Sequence, residues 1–219
     1  MAPNRQKKEL EFLSKGLTSY LHPESATAEQ FRGIRASILL RQDGGGARSL
    51  VVTSPGRGEG KTTVAMNLAV SLAMKGSRVL LVDANLRRPD ASGAFQLLDY
   101  PGLSDVLLAS VELGDAARRT EMGRLDVLAG GRSRDMALDL LDSERMRAVI
   151  EAGRRNYDLV LIDAGAVLEA SEAKTLAHFC ESAVLVVREG RTNAKALGDA
   201  KATLEYAGAQ VLGVIVNKR

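Results

Sequence analysis

The sequence has little of what would mark a secreted, membrane-embedded or zinc-caged protein. It contains one cysteine, Cys180, and two histidines, His22 and His178. An internal disulfide and a cysteine-based zinc cage are therefore excluded, and any catalytic metal is expected to rest on oxygen ligands. Tryptophan is absent and aromatics make up only 4% of residues. No dense Lys/Arg block with interleaved aromatics occurs and the net charge is a mild +3, which argues against nucleic acid as a partner. The longest apolar runs, such as Val79–Val82 and Ala183–Val187, reach about a quarter of the ~20 residues that a membrane-spanning helix needs. Charges scattered through the opening MAPNRQKKELEFLSKGL break up any signal-peptide core, so a cytoplasmic location is expected.

What is present fits one globular domain: 219 residues, 45% hydrophobic and 26% charged. Residues 1–25 read as a basic, poorly ordered leader and 26–219 as a single domain. The domain opens with an amphipathic helix over Ala26–Arg41, carrying Phe31, Ile34, Ile38 and Leu39 at helical spacing, with Thr27 as its N-cap. The glycine run 42–47 then leads into alternating strands and helices. Strands are predicted at Leu50–Thr53, Val79–Asp83, Leu125–Ala129, Leu159–Asp163, Val184–Val187 and Val211–Val216. Helices are predicted at Lys61–Lys75, Ser143–Asn156, Ser171–Cys180 and Asn193–Ala207. Strands that are apolar throughout imply a sheet covered on both faces, so the predicted class is α/β, doubly wound and mainly parallel. Ligands of such sheets bind beyond the carboxyl ends of the strands.

The first strand runs into Ser54-Pro55-Gly56-Arg57-Gly58-Glu59-Gly60-Lys61-Thr62-Thr63 and then a helix. This is the order of a P-loop. Gly56, Gly58 and Gly60 let backbone N–H groups close around a polyphosphate, Lys61 reaches the outer phosphates and the Thr62 hydroxyl can ligate Mg²⁺. ATP or GTP binding follows, although Pro55 stands where the strict spacing wants glycine. Two more strands end in aspartate, Asp83 in VLLVDAN and Asp163 in YDLVLID. A strand-ending aspartate alone commonly starts a turn, but beside a phosphate loop the pair makes a plausible Mg²⁺ set, with Asp163 nearer the metal.

With SPGRGEGKTT, VLLVDANLRRP and YDLVLID in this order, followed by SAVLVVREGRT and VLGVIVNK, the chain resembles the bacterial tyrosine kinases of the CpsD/CapB type, P-loop enzymes of polysaccharide export systems. The resemblance runs from about Glu29 to Lys218. It implies a P-loop NTPase fold, ATP and Mg²⁺ as cofactors, and phosphoryl transfer to a tyrosine in a protein substrate. By resemblance the catalytic residues are Lys61, Asp83 and Asp163, and the metal set is Thr62, Asp83 and Asp163. The nucleotide is held by Gly56, Gly58, Glu59, Gly60, Lys61, Thr62 and Thr63, with Asn217 facing the base. Glu29, Arg32 and Arg35 match the family's E-x-x-R-x-x-R helix of ring-like self-assembly. Taken from the residues alone, those three charges are a solvated helix face worth ~0.2–0.5 kcal/mol per pair. The implied partners are further copies of the chain and the cytoplasmic segment of a membrane activator, which would recruit it to the inner face of the membrane.

Three departures bear on phosphotransfer more than on binding. Asn85 stands where the family carries the second Asp of D-x-D, and an amide cannot accept the proton of an attacking phenol. Asp163-Ala164-Gly165-Ala166 replaces a Thr-Pro-Pro turn, which is expected to loosen the loop. The tyrosines Tyr20, Tyr100, Tyr157 and Tyr206 are dispersed, whereas the family's phosphoacceptor tail is tyrosine-rich. The expectation is a kinase of another protein, weakened by Asn85, or alternatively an ATP-dependent adaptor. A MinD/ParA-type positioning ATPase is the remaining option, but its loop lysine is replaced here by Gly56.

Overall fold

Strands apolar at every position must bury both faces, and a computed structural model describing residues 17–42, 48–132, 137–180 and 182–218 contains the sheet that does so. Its strands are β1 (Ser49–Thr53), β2 (Val79–Asp83), β3 (Arg118–Arg119), β4 (Leu125–Leu128), β5 (Leu159–Asp163), β6 (Ser182–Arg188) and β7 (Gln210–Asn217). They lie in the order β3-β4-β2-β5-β1-β6-β7. Every pairing is parallel except β3 with β4. The helices are α1 (Thr18–Leu21), α2 (Ala26–Gln42), α3 (Lys61–Met74), α4 (Asp90–Ala94), α5 (Leu103–Leu107), α6 (Leu113–Ala116), α7 (Ala137–Leu141), α8 (Glu144–Asn156), α9 (Glu172–Cys180) and α10 (Ala194–Tyr206). The doubly wound α/β reading therefore holds.

Successive strand residues point to opposite faces, and the two cores follow that alternation. Val51, Leu80, Val82, Val160 and Ile162 pack with α8, α9 and α10 on one face. Leu50, Val52, Val79, Leu81, Leu159 and Leu161 pack with α2 and α3 on the other. Helix α3 is buried continuously from Val64 to Ala73, because the sheet covers one side and α2 the other. Each fully buried leucine there, such as Leu68 or Leu72, contributes about 1.5–3 kcal/mol through area removed from water.

Three features differ from the sequence reading. Helix α2 is capped by Ser25, whose Oγ accepts the Ala28 N–H at 3.2 Å, and not by Thr27. Residues 17–25, assigned to the leader, pack onto the domain: Leu17 is fully buried and Ser19 donates its N–H to Asn67 Oδ1 at 2.8 Å. Residues 1–16 lie outside the described residues. The β3 edge was not anticipated, since two arginines carry no apolar pattern; it antiparallels Val127 and Asp126.

Candidate active site

The phosphate loop joins β1 to α3 and emerges at the carboxyl edge of the sheet. Gly58 and Gly60 sit at φ +73° and +92°, left-handed values that side-chain-bearing residues rarely adopt. A Cβ at Gly60 would also collide with Asn217 Nδ2. The loop is shaped from within by Glu59, which is buried. Its carboxylate accepts the Gly56 N–H at 2.8 Å and the Thr192 hydroxyl, while Thr192 Oγ1 accepts the Arg188 N–H at 2.9 Å. Asn217 donates its side-chain amide to Glu59 O at 3.0 Å. Expected to face a nucleotide base, Asn217 here holds the loop from the end of β7. Thr62 and Lys61 open α3, and Thr63 is exposed on its first turn.

Parallel pairing of β2 with β5 sets Asp83 directly beside Asp163. Both carboxylates are fully buried. Asp83 is engaged: Oδ2 accepts the Ser92 N–H at 2.7 Å and the Ser92 hydroxyl at 2.6 Å, and Oδ1 accepts the Asn85 N–H at 3.3 Å. Ser92 Oγ in turn accepts the Gly130 N–H at 2.8 Å. Neither oxygen of Asp163 has a hydrogen-bond partner of ordinary geometry among the described residues. Burial pushes the Asp83 carboxyl well above its usual range, against the hydrogen bonds from Ser92. Burial and then the neighbouring Asp83 push Asp163 up as well, with Lys61 and Thr62 opposing. A buried, unpartnered carboxylate beside a second carboxylate and a threonine hydroxyl is the donor set a hard cation takes. Mg²⁺ fits these residues.

Over this edge opens a cleft of ≈ 170 Å³ lined by Lys61, Asn85, Arg87, Arg88, Gly165 and Glu169, among others. The segment after Asp163 is tied down despite lacking a Thr-Pro-Pro turn. The Val167 N–H donates to Ser54 O at 2.9 Å and Thr53 Oγ1 to Gly165 O at 2.6 Å. Glu169 accepts the Arg57 N–H at 3.0 Å. Sequence reasoning missed Ser92 and Glu169, which carry no motif, and the roles of Arg188 and Thr192, which lie in the SAVLVVREGRT stretch; all four reach the site only through tertiary packing.

Glu29, Arg32 and Arg35 lie away from this edge, on α2. Arg32 donates to Glu29 Oε2 at 2.6 Å and to Pro23 O at 2.7 Å. Arg35 turns inward and donates to Ser71 O at 3.0 Å and Ser71 Oγ at 3.2 Å, fastening α2 to α3.

A strand, a glycine loop and a GKT helix beside paired strand-end aspartates define a P-loop nucleotide-binding domain, and the family model described as AAA domain matches residues 48–195. The tyrosine-protein kinase YwqD of Bacillus subtilis is 33% identical over 205 residues, 94% of this chain and 86% of that protein. The tyrosine-protein kinase CpsD of Streptococcus agalactiae serotype III is 33% identical over 201 residues, 91% of this chain and 86% of that one. Among solved structures, the chimerical protein CapA2B2 superposes with a TM-score of 0.88 at 33% identity, covering 94% of this chain and 90% of its own. MinD of Pyrococcus horikoshii, solved with Mg-ADP, gives 0.68 at 30% identity over 78% of this chain and 70% of its own. This chain belongs to the family of P-loop tyrosine-protein kinases.

Proposed function

We propose that the chain is an ATP-dependent protein-tyrosine kinase of capsule or exopolysaccharide production. The observation that carries this reading is the in-register Asp83/Asp163 pair beneath the phosphate loop, in a chain of the tyrosine-kinase family. Lys61 and the loop N–H groups bind the phosphates; Thr62 and Asp163 would hold Mg²⁺, with Asp83 beside them. When bound, Mg²⁺ supplies charge neutralisation on phosphate oxygens. The substrate's phenolic oxygen forms a bond to the γ-phosphorus as the bond to the ADP oxygen breaks, and the phenolic proton is released. Phosphoryl transfer passes through a loose transition state, so positioning and charge stabilisation dominate over proton abstraction. That suits a site where Asn85 cannot act as a base and Asp83 is held by Ser92.

By family likeness, the protein assembles with further copies of itself and is switched on at the membrane by the cytoplasmic segment of a membrane protein. Labelled ATP, Mg²⁺ and that segment should yield phosphotyrosine, lost in Lys61→Ala. No label on any tyrosine substrate would defeat the kinase reading.

A second reading, an adaptor whose nucleotide state controls docking, is favoured by Asn85 together with the engaged Asp83. Asn85→Asp separates the two. If one missing base limits turnover, phosphotransfer rises by up to ~10²–10⁴-fold with nucleotide affinity unchanged. An adaptor shows no gain. The positioning-ATPase reading is weaker, because Gly56 occupies the position of the loop lysine.

A further inference from the structure

Four chain segments bound the cleft, and two ion pairs join three of them across it. Arg57 on the phosphate loop pairs with Glu169 on the segment between β5 and α9, Nε to Oε2 at 2.8 Å. Arg87, just after β2, pairs with Glu172 of α9, Nη2 to Oε1 at 3.0 Å. Exposure within each pair is lopsided. The arginine side chains are 68% and 67% exposed, against 40% for Glu169 and 9% for Glu172. A chain arriving at the cleft therefore meets guanidinium groups before carboxylates. Arg88, exposed on the same wall, has a guanidinium with no hydrogen bond or ion pair among the described residues. The rim also holds one exposed acid outside these pairs, Asp90.

We propose that this arginine rim selects a tyrosine-bearing segment rich in acidic residues. Arg88 takes the first carboxylate directly, and Arg87 and Arg57 take others by exchange with Glu172 and Glu169. Guanidinium groups suit this role, since their planar fork meets a carboxylate in two parallel hydrogen bonds. Exchange at the Arg57 guanidinium involves Glu169 Oε2 alone, so Glu169 Oε1 can keep the Arg57 backbone N–H at 3.0 Å. A basic segment is offered less, because Glu172 lies behind its arginine and the exposed acids of the rim are Asp90 and the already paired Glu169. The inference rests on the kinase reading and names the substrate class of that same cleft.

The test uses three tyrosine peptides of equal length, flanked by glutamate, alanine or lysine. Each is titrated into the full chain with Mg²⁺ and a non-hydrolysable ATP analogue, then offered as phosphoacceptor with MgATP. The glutamate peptide should bind about tenfold or more tightly than the lysine peptide at low salt, as expected for one charge-assisted contact. That preference should shrink at ~0.5 M salt, where the Debye length is only a few Å. Arg88→Gln leaves both ion pairs in place and should weaken glutamate-peptide binding severalfold, raising KM and not lowering kcat. Equal binding of the three peptides, tighter binding of the lysine peptide, or no binding of any would overturn the proposal. So would an Arg87→Gln, Arg88→Gln double variant that keeps both its Mg-nucleotide affinity and its glutamate-peptide affinity. The kinase reading fails separately: glutamate preference without phosphate on any peptide sinks the kinase and sustains the rim. Phosphorylation of all three at equal KM does the reverse.

Discussion

Asp163 lies out of water, neither oxygen having a hydrogen-bond partner of ordinary geometry among the described residues, against a second buried carboxylate. Burial, then Asp83, raises its pKa, and burial raises that of Asp83. An unfolded aspartate titrates near 3.9, so between about pH 4 and neutrality the folded chain holds protons that the unfolded chain has released. The stability this contributes is complete below about pH 4 and is lost as the pH rises toward neutrality. Metal-free Asp163→Asn should therefore melt above wild type near pH 7.5, with the gap narrowing near pH 5, where wild type is itself largely protonated. A gap that widens on acidification would contradict the burial account. Mg-ADP should reverse the order near pH 7.5, because only wild type keeps the carboxylate that holds the cation. Glu59 works by geometry instead, bridging Gly56 to Thr192. Glu59→Ala strands the Gly56 N–H and frees the loop from its neighbour, so Mg-ADP affinity measured by calorimetry should fall about tenfold or more.

Strands β1, β2 and β5 could be read directly, because burial on both faces demands unbroken apolar runs that end at the site. Helix α3 was legible for a related reason: the GKT turn starts it and its continuous apolar stretch has cover on two sides. Strand β3 and the short helices α1 and α4 to α7 were not, since two to five residues cannot display a period. Whether α2 belongs to the body of the domain depends on Phe31, Ile38 and the inward-turned Arg35. Arg35→Ala removes a charged donor from Ser71 O and should destabilise the fold by about 1–3 kcal/mol, read as a lower urea midpoint with unchanged slope. An unchanged midpoint would mean that apolar contacts alone hold α2.

For the whole molecule, the arginines of α2 separate a packing role that the structure shows from the self-assembly proposed for the same face. Arg35 serves the chain's own packing, so a variant including it confounds assembly with stability. Glu29→Ala with Arg32→Ala leaves α2 fastened to α3 and tests self-association alone. The double variant should sediment as a smaller species than wild type, and identical sedimentation would remove this face from the assembly. No helix among the described residues is long and apolar enough to cross a membrane.

Local chemistry is enough to predict the sheet, the nucleotide loop and the two strand-ending aspartates. Backbone curvature, phosphate affinity and two-faced burial each demand particular residues at short spacing, and short spacing is visible along a chain. The engagement of Asp83 by Ser92, the grip of Asn217 and Thr192 on the loop through Glu59, and the ion pairs strapping the cleft were not predictable that way. Each joins residues far apart in the chain, or of a kind common on any surface, and acquires meaning only when strand register and helix packing bring them within hydrogen-bond reach.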